Sequence, residues 1–361
     1  MYRNPFTPVF GSDPPFLGGR ERLIEDVLKG LDSGPGDPNR ITIFAGPRGS
    51  GKTVLLSRIV AEAEAKGWIG VQVSAEPGML MDLMDQVEKR AEAFLAPKSA
   101  GKLTGLTVAG IGVTRQIPPE ARKGWRVQME AYLDKLAKRD IGLIFSIDEV
   151  KASVQELETF ISMFQFFIRD KRNVALMMAG LPGNVLQMFQ LDSISFLRRA
   201  FRRELNPILL PEVSAVMRNT IEMAARRIEN PALQKAAERT AGLAFVIQLI
   251  GYHVFNQSNN KTITMSDVNN GILDAKSDME SMILEATLFE ISDVDRQFLM
   301  AMAQDSTVSR IADVVERMGV NSQYADTYRR RLIAQGVIAP AGRGRLVFAM
   351  PMLRELLIEK A

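Results

Sequence analysis

The sequence predicts an α/β fold: a three-layer core of parallel strands between helices, then an all-helical segment, then a short mixed domain. Three observations lead there. Between residues 17 and 211, short apolar runs rich in β-branched residues alternate with stretches of helical period, the pattern of a parallel sheet covered on both faces. A glycine-rich octapeptide sits at the first strand-to-helix junction. Beyond about residue 212 the strands stop, helical periodicity alone continues to about residue 290, and residues 291–361 change rhythm again.

Taken in order, residues 1–16 are rich in Pro and Gly and read as an extended arm. Residues 17–31 carry Leu23, Val27, Leu28 and Leu31 on one helical face. A loop at 32–38 leads to a strand at 41–45 and a helix from about 51 to 66. A second strand, 68–73, precedes a helix at 79–94. Residues 98–118 alternate small, β-branched and glycine residues and read as a β-hairpin-like insertion. A helix is expected at 119–139. The continuous apolar run 141–147 suits a strand buried on both faces. A helix at 153–170 and an apolar run at 173–179 complete the alternation. Helices at 212–229, 231–240, 243–256 and 265–287 follow.

At 361 residues the chain is long enough for two or three domains. Hydrophobic residues make up 46% and charged residues 24%, ordinary for a soluble globular protein. No run approaches the ~18 apolar residues of a membrane span. The first residues lack the apolar stretch of a signal peptide. A soluble, cytoplasmic protein without a membrane partner is therefore expected. The absence of Cys excludes disulfides, thiolate catalysis and cysteine-based zinc sites. The single His, His253, lies in an apolar stretch and reads as a core or helix-surface residue. A net charge of +3 is too small to argue for nucleic acid by itself.

The octapeptide Gly46-Pro47-Arg48-Gly49-Ser50-Gly51-Lys52-Thr53 fits G-x-x-x-x-G-K-[ST] without a mismatch. It follows an apolar strand and precedes an amphipathic stretch that begins with Val54. Glycines let backbone N–H groups curl around a triphosphate, and the helix N-terminus adds favourable partial charge. Lys52 would reach the β- and γ-phosphates, and Thr53 would ligate Mg²⁺. Residues 141–149 form an apolar strand ending in Asp148 and Glu149. The carboxyl end of a parallel strand faces the ligand crevice. There Asp148 would hold Mg²⁺, and Glu149 would orient or deprotonate a water. A strand followed by a helix-capping Asp is the plainer alternative; the upstream phosphate loop favours the catalytic one.

Phe16-Leu17-Gly18-Gly19-Arg20-Glu21 ahead of the loop resembles the "GRE" box of AAA+ ATPases, closest to the origin-recognition and archaeal-type ATPases and to STAND ATPases. The resemblance implies a P-loop NTPase core of the AAA+ type, a helical lid at 212–290 and a winged-helix domain at 291–361. It implies ATP and ADP as ligands, with Phe16, Leu17, Gly18 and Arg20 lining the base pocket. Residues 195–201 resemble the region that supplies an arginine finger, which would give Arg198 or Arg199 a catalytic role in a homo-oligomer. Two departures stand out. Ala179 and Gly180 offer no polar sensor on the strand at 173–179, and Leu243, Ala244 and Phe245 stand near where the lid often carries Arg. Both point to slow hydrolysis. Arg198, Arg199, Arg202 and Arg203 read equally as one basic helix face.

In the last domain, residues 309–320 and 321–335 read as two helices joined by a turn at Gly319, the second rich in Arg. This matches helix-turn-helix organisation, and a hairpin around Arg343 and Arg345 resembles a wing. Ser322, Gln323, Thr327 and Tyr328 would then face base edges of double-stranded DNA, with Arg330, Arg343 and Arg345 on phosphates. Such modules also bind protein, and Asp313, Glu316 and Asp326 dilute the positive surface. The expected function is a slow, Mg²⁺-dependent ATPase switch associated with DNA; the alternative is an ATP-gated protein-assembly switch.

Overall fold

A computed structural model describes residues 2–9, 14–95 and 119–359 of the chain. The expected hairpin at 98–118 lies outside them. The central sheet has five strands: β1 (Ile41–Ala45), β2 (Ile69–Ser74), β3 (Leu143–Asp148), β4 (Val174–Gly180) and β5 (Phe201–Glu204). Their spatial order is β2-β3-β4-β1-β5 and every pairing is parallel. The register sets Ala45 beside Gly180 and Glu204, and Ser74 beside Asp148, so the strands' carboxyl ends share one edge.

Side chains of a strand alternate between faces, so each strand feeds two cores. Phe44, Ile144, Ala175 and Met177 pack under α1 (Glu21–Ser33) and α2 (Lys52–Ala65). Ile43, Phe145, Leu176 and Met178 pack under α3 (Met79–Leu95), α4 (Pro119–Ala137) and α5 (Gln155–Arg169). This explains why β4 reads as an unbroken apolar run: all seven of its residues are buried. The short α6 (Pro182–Met188) follows β4. One expectation is corrected here. Arg202 and Arg203 are not on a helix with Arg198 and Arg199; a 3-10 segment ends at Arg199, and Arg202 and Arg203 lie on β5. Strand β5 is a sheet edge with only alternate residues half-buried, so it lacks the apolar signature of a strand.

The helical segment comprises α7 (Leu210–Met223), α8 (Asn230–Arg239), α9 (Ala244–Asn256) and α10 (Met265–Met279). Strands do not stop entirely at 212: β6 (Arg227–Ile228) and β7 (Thr262–Ile263) pair in parallel. Two-residue strands leave no periodic trace. The helix expected to run through 287 instead ends at Met279, passes a π-helical turn at Glu280–Leu284 and resumes as α11 (Glu285–Glu290). The described residues of the N-terminal arm have no regular structure, and those at 4–7 dock on this segment. Phe6 is buried against Gly251 of α9, the Thr7 N–H donates to Gln248 Oε1, and Asn4 Nδ2 donates to the Tyr252 carbonyl and to Asn256 Oδ1.

The last unit consists of α12 (Asp293–Ala303), β8 (Ser309–Arg310), α13 (Ile311–Met318), α14 (Ser322–Ala334), β9 (Ile338–Pro340), β10 (Arg345–Phe348) and α15 (Leu353–Glu359). Its three strands form an antiparallel sheet in the order β8-β10-β9. Ser292 and Asp295 make a reciprocal cap at the start of α12. Gly319, at φ 63°, ends α13 in the left-handed conformation that favours glycine. Buried residues of α7–α10 and of this unit belong to one continuous apolar cluster. No helix among the described residues is long and apolar enough to cross a membrane.

Candidate functional site

Strand β1 ends at Ala45 and the octapeptide turns into α2 at Lys52. The turn needs two left-handed residues, Gly49 at φ 76° and Gly51 at φ 86°. The Gly46 N–H is held by the Gly180 carbonyl at 3.2 Å, which fixes the loop to the end of β4. Lys52 folds back, donating to the carbonyls of Gly46 at 3.0 Å and Pro47 at 2.8 Å. Burial pushes its ammonium down to about 8; Asp148 and Glu149 oppose the fall and Arg48 adds to it. Ser50 Oγ is buried without a hydrogen-bond partner, a polar atom left for a ligand to satisfy.

Across the edge, Thr53 Oγ1 donates to Asp148 Oδ2 at 2.5 Å, so the two expected metal ligands are already in contact. The second carboxylate oxygen, Oδ1, accepts the Glu149 N–H at 2.8 Å. Glu149 is exposed and sits at φ 52°, a left-handed conformation that a non-glycine residue holds at a cost of roughly 1–3 kcal/mol. Its neighbour Val150 is pinned by the Ala179 carbonyl. A hydroxyl and one carboxylate suit Mg²⁺, which takes few protein ligands and completes its shell with phosphate oxygens and water. The glycine turn, helix N-terminus, buried ammonium and oxygen pair together fit a magnesium-bound triphosphate.

The end of β4 and the start of α9 both border the loop without a polar side chain at Ala179, Gly180, Ala244 or Phe245. A Cβ on Gly180 would lie 2.7 Å from Val150 Cγ2 and 3.1 Å from its carbonyl, so β4 ends with no room for a polar side chain. The helix α9 starts against the loop. The Phe245 N–H donates to the Gly49 carbonyl at 3.0 Å, and Ala244 lies against Gly51.

The other expected residues are dispersed. Phe16 is partly exposed, Leu17 half-buried and Gly18 packed on Val216 of α7. Arg20 is buried, and its guanidinium donates to the Asn206 carbonyl at 2.8 Å. Arg198 donates to the Phe189 carbonyl at 2.9 Å and approaches Asp192, so it is held by its own segment; Arg199 is exposed. On α14, Ser322, Gln323 and Thr327 are exposed, while Tyr328 is half-buried against Tyr324 beneath the Arg331 guanidinium. Arg330 pairs with Asp326 at 2.9 Å. Arg331 is committed to the buried Asp295. Arg343 and Arg345 are exposed at the β9–β10 turn.

Two contacts of the last unit with the core have no signal in the sequence. Gly336, just past α14, has its Cα face against Pro47 of the phosphate loop: a Cβ there would meet Pro47 Cα at 3.0 Å. Ala334 fills the notch at Gly183 of α6. In the sequence Gly336 signals only a helix stop.

A five-stranded parallel sheet in this order, with a phosphate loop after β1 and an acidic end on β3, followed by a helical segment, defines the fold of AAA+ P-loop ATPases. Known structures agree. The Walker-type ATPase PABY2304 of Pyrococcus abyssi superposes with a TM-score of 0.71 at 13% identity, covering 95% of this chain and 96% of that one. The ORC2 protein of Aeropyrum pernix, in its ADPNP-ADP complexes, gives 0.64 at 13% identity over 98% and 95% of the two chains. Its ADP form gives 0.54 at 14% identity over 98% and 96%. A family model described as a domain of unknown function, DUF8462, matches residues 281–357. No curated protein matches the chain.

Proposed function

We propose that the chain is a slow, Mg²⁺-dependent ATPase that works as a nucleotide-controlled switch, with its last unit acting as a winged helix on double-stranded DNA. The observation that carries the switch is the convergence of both downstream units on the phosphate loop: Phe245 of α9 on Gly49, and Gly336 on Pro47. A ligand shifts a conformational equilibrium only through differential contacts with the two states. Here the contacts that a phosphate would disturb are the ones that seat the lid and the last unit. In this reading Lys52 binds the phosphates, Thr53 and Asp148 hold Mg²⁺, and Glu149 handles the attacking water. Arg198 or Arg199 would serve a neighbouring copy in a homo-oligomer. The lack of a polar sensor beside Gly180 supports slow turnover.

DNA association rests on the exposed α14 start and on Arg343 and Arg345. A second reading, a protein-assembly switch, is favoured by the ion pairs that tie Arg330 to Asp326 and Arg331 to Asp295. ATP turnover with and without duplex DNA, alongside solution mass in ATP and in ADP, tests both. Stimulation by DNA supports the first. Unchanged turnover with a nucleotide-dependent mass supports the second. No turnover under any condition removes the ATPase assignment.

A further inference from the structure

Four contacts define the joint between the sheet and the lid. The Leu205 N–H donates to the Ala45 carbonyl at 2.7 Å, one residue before the phosphate loop. The Asn206 carbonyl accepts from Arg20 at 2.8 Å. The Ile208 N–H donates to the Gly242 carbonyl at 2.9 Å. The Leu209 N–H donates to Glu212 Oε2 at 3.2 Å, capping α7. Ala45 ends β1, and Gly242 and Glu212 belong to the helical segment. Arg20 alone comes from the Phe16–Glu21 box.

That box is pressed onto the same joint. A Cβ on Gly18 would lie 2.4 Å from Val216 Cγ2, and one on Gly19 would lie 2.7 Å from Glu212 Oε2. Gly19, at φ 68°, makes the turn that carries Arg20 inward. Arg20 is only 8% exposed. Burial lowers its pKa while Glu212 and Glu21 oppose the fall, so the cation is balanced by a carboxylate that itself caps the lid's first helix. A guanidinium spent on a hinge carbonyl is turned toward the joint.

We propose that Arg20 is a positioning residue that pins the lid to the core, so that a nucleotide at the phosphate loop is read out as a lid angle. The readout rests on the nucleotide-binding reading above; the pin does not. Gly18 and Gly19 pack against Val216 and Glu212 of α7 and against Ile208 of the linker, and the Leu205 N–H holds the linker to Ala45 at the foot of the phosphate loop. Arg20 ties these contacts into a fixed relation between β1, the linker and α7.

The test uses the absence of native Cys: spin labels at Glu62→Cys on α2 and Lys235→Cys on α8, both exposed, report the core-to-lid distance by pulsed electron resonance. In the otherwise unmodified chain the distance is expected to be narrow, and to shift with MgATP. In Arg20→Ala it is expected to broaden without nucleotide and to lose the shift. If the binding-competent lid angle falls to a tenth of the population, ATP affinity weakens about tenfold. The preference for ATP over GTP stays unchanged. Arg20→Lys, which keeps one donor for the Asn206 carbonyl, restores part of the narrowness and guards against simple misfolding. A collapsed ATP-over-GTP preference with an unaltered lid distance would overturn the proposal in favour of a base contact. An unaltered distance with unaltered affinity would overturn it outright. If the unmodified chain binds no nucleotide, the nucleotide reading fails, and the nucleotide-free distance still decides whether Arg20 is the pin.

Discussion

Lys52 is the residue on which most depends. Its folded pKa of about 8 lies below the ~10.4 of an unfolded lysine. Between those values the unfolded chain holds the extra proton, so this group makes folding stability rise with pH there; below about 8 the cost of the buried ammonium is fully present. Nucleotide binding runs the other way, because the phosphates need the cation. Affinity for MgATP, measured by calorimetry, is expected to be level below about pH 8 and to fall roughly tenfold per unit above it. Lys52→Met should weaken binding and flatten that profile. Glu149→Gln is expected to keep MgATP binding and reduce turnover roughly 10²–10⁴-fold, as the loss of a general base does. Single-turnover phosphate release measures it, and undiminished turnover would remove Glu149 from the chemistry.

At the scale of elements, the informative contacts join segments far apart in sequence. Ala334 at the end of α14 fills the notch at Gly183, and there is no space for a side chain there. Gly183→Leu is expected to lift the last unit off α6, with a larger scattering radius and faster proteolysis between α11 and α12. An overpacked site of this kind costs about 1–3 kcal/mol if the unit stays in place. An unchanged radius with unchanged stability would argue against a seated interface. Phe6→Ala should cost about 3–5 kcal/mol in urea unfolding of the lid. The sequence made the strand-and-helix order of the core legible because the inner strands β3 and β4 are buried almost throughout and read as apolar runs, while β1 and the outer strand β2 keep enough β-branched residues to stand out between helical stretches. The phosphate loop and Asp148 were legible because a strict local spacing places them. Strand β5 was hidden by its Arg-rich edge character, and β6 and β7 by their length. The seat of Gly336 on Pro47 was beyond local pattern, since nothing near residue 336 records what lies across the interface.

For the whole molecule, the open question is what the last unit touches when it is free to do so. If it meets duplex DNA, affinity must fall steeply with salt as phosphate contacts release counterions. Arg343→Glu together with Arg345→Glu is expected to lower the slope of log affinity against log salt by about 2, one for each lost phosphate contact. A slope near zero in the unmodified protein would leave the protein-assembly reading standing. The docked arm carries a different consequence. Asn4 bonds Asn256, a separation of 252 residues. At a synthesis rate of about 5–20 residues per second, the newborn arm waits on the order of 10–50 s before its receptor leaves the ribosome. Through that interval Phe6 has no seat and stays an unsheltered apolar side chain. The side chain that closes over α9 therefore belongs to polypeptide made long before α9 itself.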